Sequence, residues 1–330
     1  MSDRPVILVT GGAGYIGAHA CRALDAAGYQ PVVFDNLSTG HRHFVRAPLV
    51  IGDLLDGSAL RRIFAKHDVA AVMHFAAASL VGESMADPEK YYINNVNGTL
   101  SLLGAMREAG CHRLVFPSTG AVYGHADSKA LPESHPCAPI NTYGATKWMI
   151  ERILADYRNA YGFGAFCLRY FNASGADESG GIGELRGNET HLIPRAMMAM
   201  QGHIRDFAVF GTDYDTPDGT AIRDYIHVTD LATAHVAALK LLLQGHTGGA
   251  FNLGTGAGFS VSEILAAIEA ETGRKVPYAV KPRRAGDPAY LVANSIAARK
   301  VLQFTPRHSD LATIIRTAWG WHQKAHPLKA

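Results

Sequence analysis

Val9-Thr-Gly-Gly-Ala-Gly-Tyr-Ile-Gly17 follows a short apolar run, 6–9, and opens a stretch with helical spacing. In that strand, turn and helix context the glycines have separate tasks. Gly11, Gly12 and Gly14 permit a tight turn and close backbone approach to a pyrophosphate, and Gly17 lets the helix pack on the strand. The start of the helix attracts anions through its unpaired N–H groups. Asp35 closes the next apolar run at about the 20-residue interval expected of a ribose partner. Its carboxylate accepts from adenosine ribose hydroxyls and repels a 2′-phosphate, and 36–41 holds no arginine to reward one. These residues predict a doubly wound α/β sheet that binds NAD.

Apolar runs at 6–9, 32–34, 49–51, 71–75, 114–116 and 165–168 alternate with helical patterns, among them 89–109 and 143–157. Alternation of that kind builds parallel βαβ units. After Arg169 the pattern gives way to glycine-rich loops at 174–187 and 211–219, with a helix near 192–202 between them. The expected division is a Rossmann domain over 1–170 and a smaller mixed α/β domain over 171–330. Phe251-Asn-Leu-Gly254 reads as a buried strand ending in a turn, so part of 220–256 is expected to return to the first domain.

With 330 residues, 48% of them apolar, the chain can bury a large core. Its net charge of +2 comes from 31 basic and 29 acidic residues without long blocks of one sign. That balance argues against a nucleic-acid or membrane partner and leaves anionic ligands to be met locally. Cys21, Cys111, Cys137 and Cys167 form no Cys-x-x-Cys pair and read as reduced, structural thiols. The run 6–9 is too short for a signal peptide or a membrane span, and a cytoplasmic location is expected. The 16 histidines show no metal-ligand spacing, and no metal is expected.

Tyr143 and Lys147 lie one helical turn apart in Asn141-Thr-Tyr-Gly-Ala-Thr-Lys-Trp148. A phenol with a pKa near 10 is a poor base at neutral pH unless a fixed cation favours its anion. At roughly 4 Å and an effective dielectric of about 20, one charge is worth about 4 kcal/mol, or about three pKa units. The pair therefore predicts a tyrosine acid/base whose pKa a lysine depresses. Ser118 and Thr119 follow a strand, which puts their hydroxyls at the end of the sheet where such folds bind ligands. The competing reading is a core aromatic, since Tyr143, Lys147 and Ile150 share one helical face.

Seven segments occur in an order that resembles the extended branch of the short-chain dehydrogenase/reductase family over almost the whole chain. They are His74-Phe-Ala-Ala77, Val81-Gly-Glu-Ser84, Tyr92-Ile-Asn-Asn-Val-Asn-Gly98, Tyr143-Gly-Ala-Thr-Lys147, Leu168-Arg-Tyr-Phe-Asn172, Arg223-Asp-Tyr-Ile-His227 and Arg283-Arg-Ala-Gly-Asp287. Within that branch they look like the enzymes that epimerise UDP-sugars at C4. The resemblance implies Tyr143 as acid/base, Lys147 on the nicotinamide ribose and Thr119 on the reacting sugar oxygen, where serine is the commoner family residue and Ser118 is adjacent. It implies NAD contacts from Gly11, Gly14, Tyr15, Ile16, Gly17, Asp35, Asn36, Asp53, Leu54, Phe75, Ala76, Ala77, Ser79, Asn94, Lys147 and Tyr170. Asp53 equally suits a turn cap, and Ser79 stands where some members carry a lysine near the cofactor phosphates. For the sugar nucleotide it implies Thr119, Tyr143, Asn172, His191, Leu192, Phe210, Arg223, Arg284, Asp287 and Leu291. Arg223 and Arg284 fall on the diphosphate, with Arg283 left to a surface ion pair.

The implied reaction interconverts UDP-glucose and UDP-galactose by oxidation at C4, rotation of the 4-keto sugar and re-reduction, in a homodimer formed through the helices at 89–109 and 143–157. A related dehydratase needs a carboxylate and a carboxylic acid after the catalytic hydroxyl, and Thr119-Gly-Ala-Val-Tyr-Gly124 has neither. A 4-epimerase of an N-acetylated hexose or a pentose stays open. So does a catalytically silent NAD sensor, which would keep Gly11 to Gly17 without needing Tyr143 and Lys147.

Overall fold

The computed structural model describes residues 4–125, 129–284 and 287–327. The chain opens with β1 (Val6–Thr10), α1 (Tyr15–Ala26), β2 (Gln30–Asp35), β3 (Leu49–Ile51), α2 (Gly57–Lys66) and β4 (Val69–His74). Short helices α3 (Val81–Ala86) and α4 (Pro88–Tyr91) lead through a π-helical turn at Tyr92–Asn97 into α5 (Gly98–Glu108), then β5 (Arg113–Thr119), α6 (Thr142–Tyr161) and β6 (Gly164–Tyr170). Next come β7 (Asn172–Ser174), α7 (Leu192–Met200), β8 (Ala208–Phe210), β9 (Ile222–Arg223), β10 (Tyr225–His227), α8 (Val228–Leu243) and β11 (Gly248–Leu253). The last elements are β12 (Phe259–Ser260), α9 (Val261–Thr272), β13 (Ala279–Lys281), β14 (Tyr290–Leu291), α10 (Ile296–Val301) and α11 (Leu311–Ala325).

Seven strands form one parallel sheet in the order β11-β6-β5-β4-β1-β2-β3. Side chains alternate across it because successive strand residues point to opposite faces. Ile7 and Val9 pack with Leu24 of α1 and Leu231, Ala238 and Leu242 of α8. Leu8 faces the other way, among Leu60 and Ile63 of α2, Leu102 and Met106 of α5, and Ile150 and Leu154 of α6. Both faces are thus covered, as a parallel sheet requires. A separate core joins α7, α9 and α11 through Met197, Ile264, Ile268, Ile314 and Ile315, beside two- and three-stranded ribbons.

The stretch predicted as one helix at 89–109 contains the π-helical turn. The wider turn sets Asn95 inward, where its Oδ1 accepts from Ala78 N at 2.8 Å and its Nδ2 donates to Ala78 O and Thr146 Oγ1. Such bulges concentrate at functional sites, and this one braces the loop after β4. Among the described residues no helix is long and apolar enough to cross a membrane.

Candidate active site

Strand order reverses between β1 and β4, and the crevice at their carboxyl ends is where open α/β sheets take ligands. Gly11, with φ +71, turns the chain there, and a Cβ on it would collide with the Ala76 backbone. Gly17 lies so close to the Gly11 carbonyl oxygen that a Cβ would clash as well. Gly14 is the N-cap of α1 in extended conformation and gives no side-chain cap. The first N–H groups of a helix lack intrahelical acceptors, so those of Tyr15 and Ile16 are left for a phosphate. The crevice therefore fits the pyrophosphate of a dinucleotide.

Asp35 is buried, and each carboxylate oxygen accepts one backbone N–H, from Ala13 at 2.9 Å and Leu37 at 2.8 Å. It orders the glycine loop while each oxygen keeps a second lone pair. Asn36 donates to Asp53, which also caps its own turn by accepting from Leu55 N. Leu54 packs into the core beneath them. Phe75, Ala76 and Ala77 form the opposite wall, with the Phe75 ring 4.9 Å from that of His235. Ser79 accepts from Arg186, Tyr15 donates to Gly175 O, and Asn94 points its amide at Asn95.

Tyr143 occupies the first turn of α6, which starts where Asn141 accepts from Gly144 N at 2.8 Å. A Cβ on Gly144 would stand 2.6 Å from Ala121 O, so glycine lets the helix start lie against the loop that follows Thr119. The Thr119 hydroxyl is near enough to the Tyr143 phenol to lower its pKa. Ser118, on the opposite face of β5, donates to Glu151 at 2.5 Å inside a buried Glu151–Arg169 pair. Of the two adjacent hydroxyls, Ser118 is taken by Glu151 and Thr119 is the one that acts on the phenol.

Lys147 lies differently from the sequence expectation. Its Nζ donates to Pro117 O at 2.8 Å and stands 5.9 Å from the Tyr143 ring centroid. Burial lowers the lysine to about 7. Burial likewise raises the Tyr143 phenol, opposed by the nearby Thr119 hydroxyl and the charge of Arg186. Tyr170, at the end of β6, is raised well above the usual phenol value by burial.

In the smaller unit, β9 and β14 run parallel and set Leu291 opposite Arg223. Arg223 pairs with Asp287 at 2.5 Å, so two residues expected on the sugar nucleotide bind each other. Arg284 stacks on Phe210, 4.1 Å from its centroid, and Arg283 makes the anticipated exposed pair with Asp213. Residues 285 and 286 of that motif lie outside the described residues. Asn172 holds Asp224 O, His191 N-caps α7, and Leu192 begins it.

The sequence reading missed Glu184, Arg186 and Glu189, which belong to one aperiodic loop. Buried Glu184 binds Arg186 Nε at 2.8 Å and His191 Nδ1 at 2.7 Å. Against burial, which pushes it up, those charges hold its carboxyl at about 2. Ligand atoms of Glu184, Glu189 and His191 lie within 4.8 Å of one another, but Arg186 already supplies Glu184 with a counter-charge.

Residues 7–254 match the NAD dependent epimerase/dehydratase family, and the chain belongs to it. A UDP-glucose 4-epimerase of Rhizobium leguminosarum bv. trifolii is 52% identical over 97% of this chain and 98% of its own. The crystal structure of UDP-glucose 4-epimerase from Brucella ovis in complex with NAD superposes with a TM-score of 0.94 at 52% identity, covering 95% of this chain and 97% of that one. The Bifidobacterium longum UDP-glucose 4-epimerase in complex with NAD+ and UDP gives 0.90 at 36% identity, over 97% and 98%.

Proposed function

We propose that this chain interconverts UDP-glucose and UDP-galactose with NAD as its resident cofactor. The observation that carries the reading is the placement of Tyr143 at the start of α6, against the loop that follows Thr119, in a chain alike to UDP-glucose 4-epimerases over nearly its full length. NAD, when bound, supplies a hydride acceptor that returns the hydride to either face of C4. Gly11, Gly14, Tyr15, Gly17 and Asp35 would hold it.

Tyr143 takes the proton of the 4-hydroxyl during oxidation and gives it back on reduction, while Thr119 hydrogen-bonds the same oxygen. Lys147, one helical turn from Tyr143, would hold the ribose side. Gly120 packs on Phe171 and, like Ala121, carries no proton-transfer group, so the ketone meets no machinery for elimination. Arg223 and Arg284 suit the diphosphate, held firmly so that the hexose can turn. Residues 1–170, with part of 220–256, form the cofactor unit in this reading, and 171–330 the sugar-nucleotide unit. Exposed Tyr92, Ile93, Leu100 and Met149 support a homodimer through the π-helical turn, α5 and α6. A cytoplasmic role in galactose metabolism follows.

Purified protein incubated with UDP-galactose and no added NAD should yield UDP-glucose at equilibrium. Absence of conversion for any UDP-hexose by a protein that carries NAD would sink the proposal.

A further inference from the structure

We infer that Arg186 binds the nicotinamide-side phosphate of the dinucleotide, completing from a distant loop a crevice whose phosphate-binding segments carry no cation. The inference rests on the NAD reading above. The segments that make the crevice, 9–17, 35–41 and 75–79, contain neither lysine nor arginine. Against a diphosphate of two negative charges they offer backbone N–H groups and a helix N-terminus worth about half a charge. Lys147 is turned to Pro117 O.

Arg186 reaches this crevice from the loop before α7. Its Nη1 donates to Ser79 Oγ at 3.4 Å, on the wall opposite the glycine turn. Its charge acts on Tyr15 at the start of α1, and on Tyr143 and Tyr170 at the ends of α6 and β6. Tyr15 opens the phosphate-binding helix and Tyr143 opens α6, so the charge of Arg186 is felt at both ends of the crevice.

The arginine is also held in place. Glu184, buried and fixed at its backbone by Trp321 Nε1 at 2.8 Å, grips Arg186 Nε. The side chain remains 25% exposed, and among the described residues its hydrogen bonds run from Nε and Nη1 and leave Nη2 over. A guanidinium anchored by one edge presents its other edge to a phosphate, the arrangement that makes charge-assisted hydrogen bonds specific. Ser79, whose hydroxyl meets Nη1, adds a neutral donor at the same spot.

The test measures NAD retention, not turnover, on full-length protein. Arg186→Gln should bind NAD roughly ten- to a hundredfold more weakly than the parent, the range expected for one lost charge-assisted hydrogen bond. Adding Ser79→Lys to that variant places an ammonium beside the vacated position and should recover most of the loss, which a merely structural role for Arg186 would not allow. Arg186→Lys, which keeps the charge in case the glutamine variant folds poorly, should fall between. In the parent, raising salt from 0.05 to 0.5 M should weaken NAD binding more than in Arg186→Gln. Affinity within twofold of the parent in Arg186→Gln, or a double variant no better than the single one, overturns the inference. A parent that binds no NAD at all overturns the reading beneath it instead.

Discussion

The two sides of the cleft are built by different means. On the cofactor side the crevice is shaped mainly by backbone: a glycine turn, the open N-terminus of α1, and Asp35 spending one lone pair of each oxygen on the loop itself. On the side proposed for the sugar nucleotide they are side chains on short strands and the loops beside them, Arg223 tied to Asp287 and Arg284 laid on Phe210. A backbone site tolerates almost no change in shape, because its geometry is the fold. A side-chain site changes by degrees, because each contact can be shortened, swapped or re-paired.

Tyr143 stands on the seam, and its variant should separate the two sides most strongly. Tyr143→Phe keeps the ring and its packing but removes the proton carrier. Turnover should fall at least about a hundredfold, within the usual range for acid/base catalysis, while bound NAD is unchanged by absorbance after denaturation. Near-normal turnover would remove the tyrosine from the chemistry, and loss of NAD would show that the two sides are not separable.

Gly17→Ala probes the backbone side with a single methyl group. The added Cβ would run into the Gly11 carbonyl oxygen and Gly12 Cα, neither of which is the end of a flexible side chain. Overpacking of this kind costs about 1–3 kcal/mol, so NAD affinity should drop roughly tenfold or more, with a lower melting temperature. Parental NAD affinity would break the comparison, since the turn would then have slack.

The backbone side was also the legible side. The glycine turn, Asp35 and the strands β1 to β6 stand out in the sequence because parallel strands buried on both faces are nearly continuous apolar runs. The run at 165–168 still stopped short of the observed Gly164–Tyr170, because Arg169 is hidden in the strand by its pair with Glu151. Strands such as β9, β12 and β14 are two residues long, and their partners lie tens of residues away, so no local periodicity marks them. Glu184 and Arg186 gave no signal for the same reason: an aperiodic loop acquires its meaning only from what it meets.

Acid should expose a weakness common to the parallel sheet and its helices. Burial lowers His74 to about 3, with the Lys147 charge adding to the effect, and burial lowers His235 and His19 to about 4. His74 is held between Thr10 and Thr99, and His235 Nε2 is buried without a partner. Unfolded imidazoles take up protons near pH 6.5 while the folded ones stay neutral to about 3 or 4. Their stabilisation is therefore complete above pH 6.5 and is lost as pH falls toward 4. At pH 5 each contributes a loss of up to about 2 kcal/mol. Melting temperature measured from pH 7.5 to 5 should fall, and His235→Phe should flatten the fall. A flat parental profile would show that these rings are protonated in the fold.

The smallest effect is expected from the most gradual contact, Leu291. It is half-buried, opposite Arg223 in the β9–β14 ladder, and packs on the Val122–Tyr123–Leu131 cluster just beyond Thr119. Tyr290 beside it lies under Lys129, 5.4 Å from ring centroid to ammonium, so the leucine and not the tyrosine borders the loop of the catalytic hydroxyl. A 2-acetamido group on the hexose adds several heavy atoms next to a filled position, and forcing them in costs about 1–3 kcal/mol. If felt fully in the transition state, that is roughly ten- to over a hundredfold in catalytic efficiency. UDP-galactose should therefore be preferred to UDP-N-acetylgalactosamine by about that ratio, and Leu291→Ala should narrow it chiefly by improving the larger sugar. Equal efficiencies in the parent, or no gain for the larger sugar in the variant, would take sugar-size selection away from Leu291. Abolished activity toward both sugars would show that this side of the cleft is as unforgiving as the glycine turn.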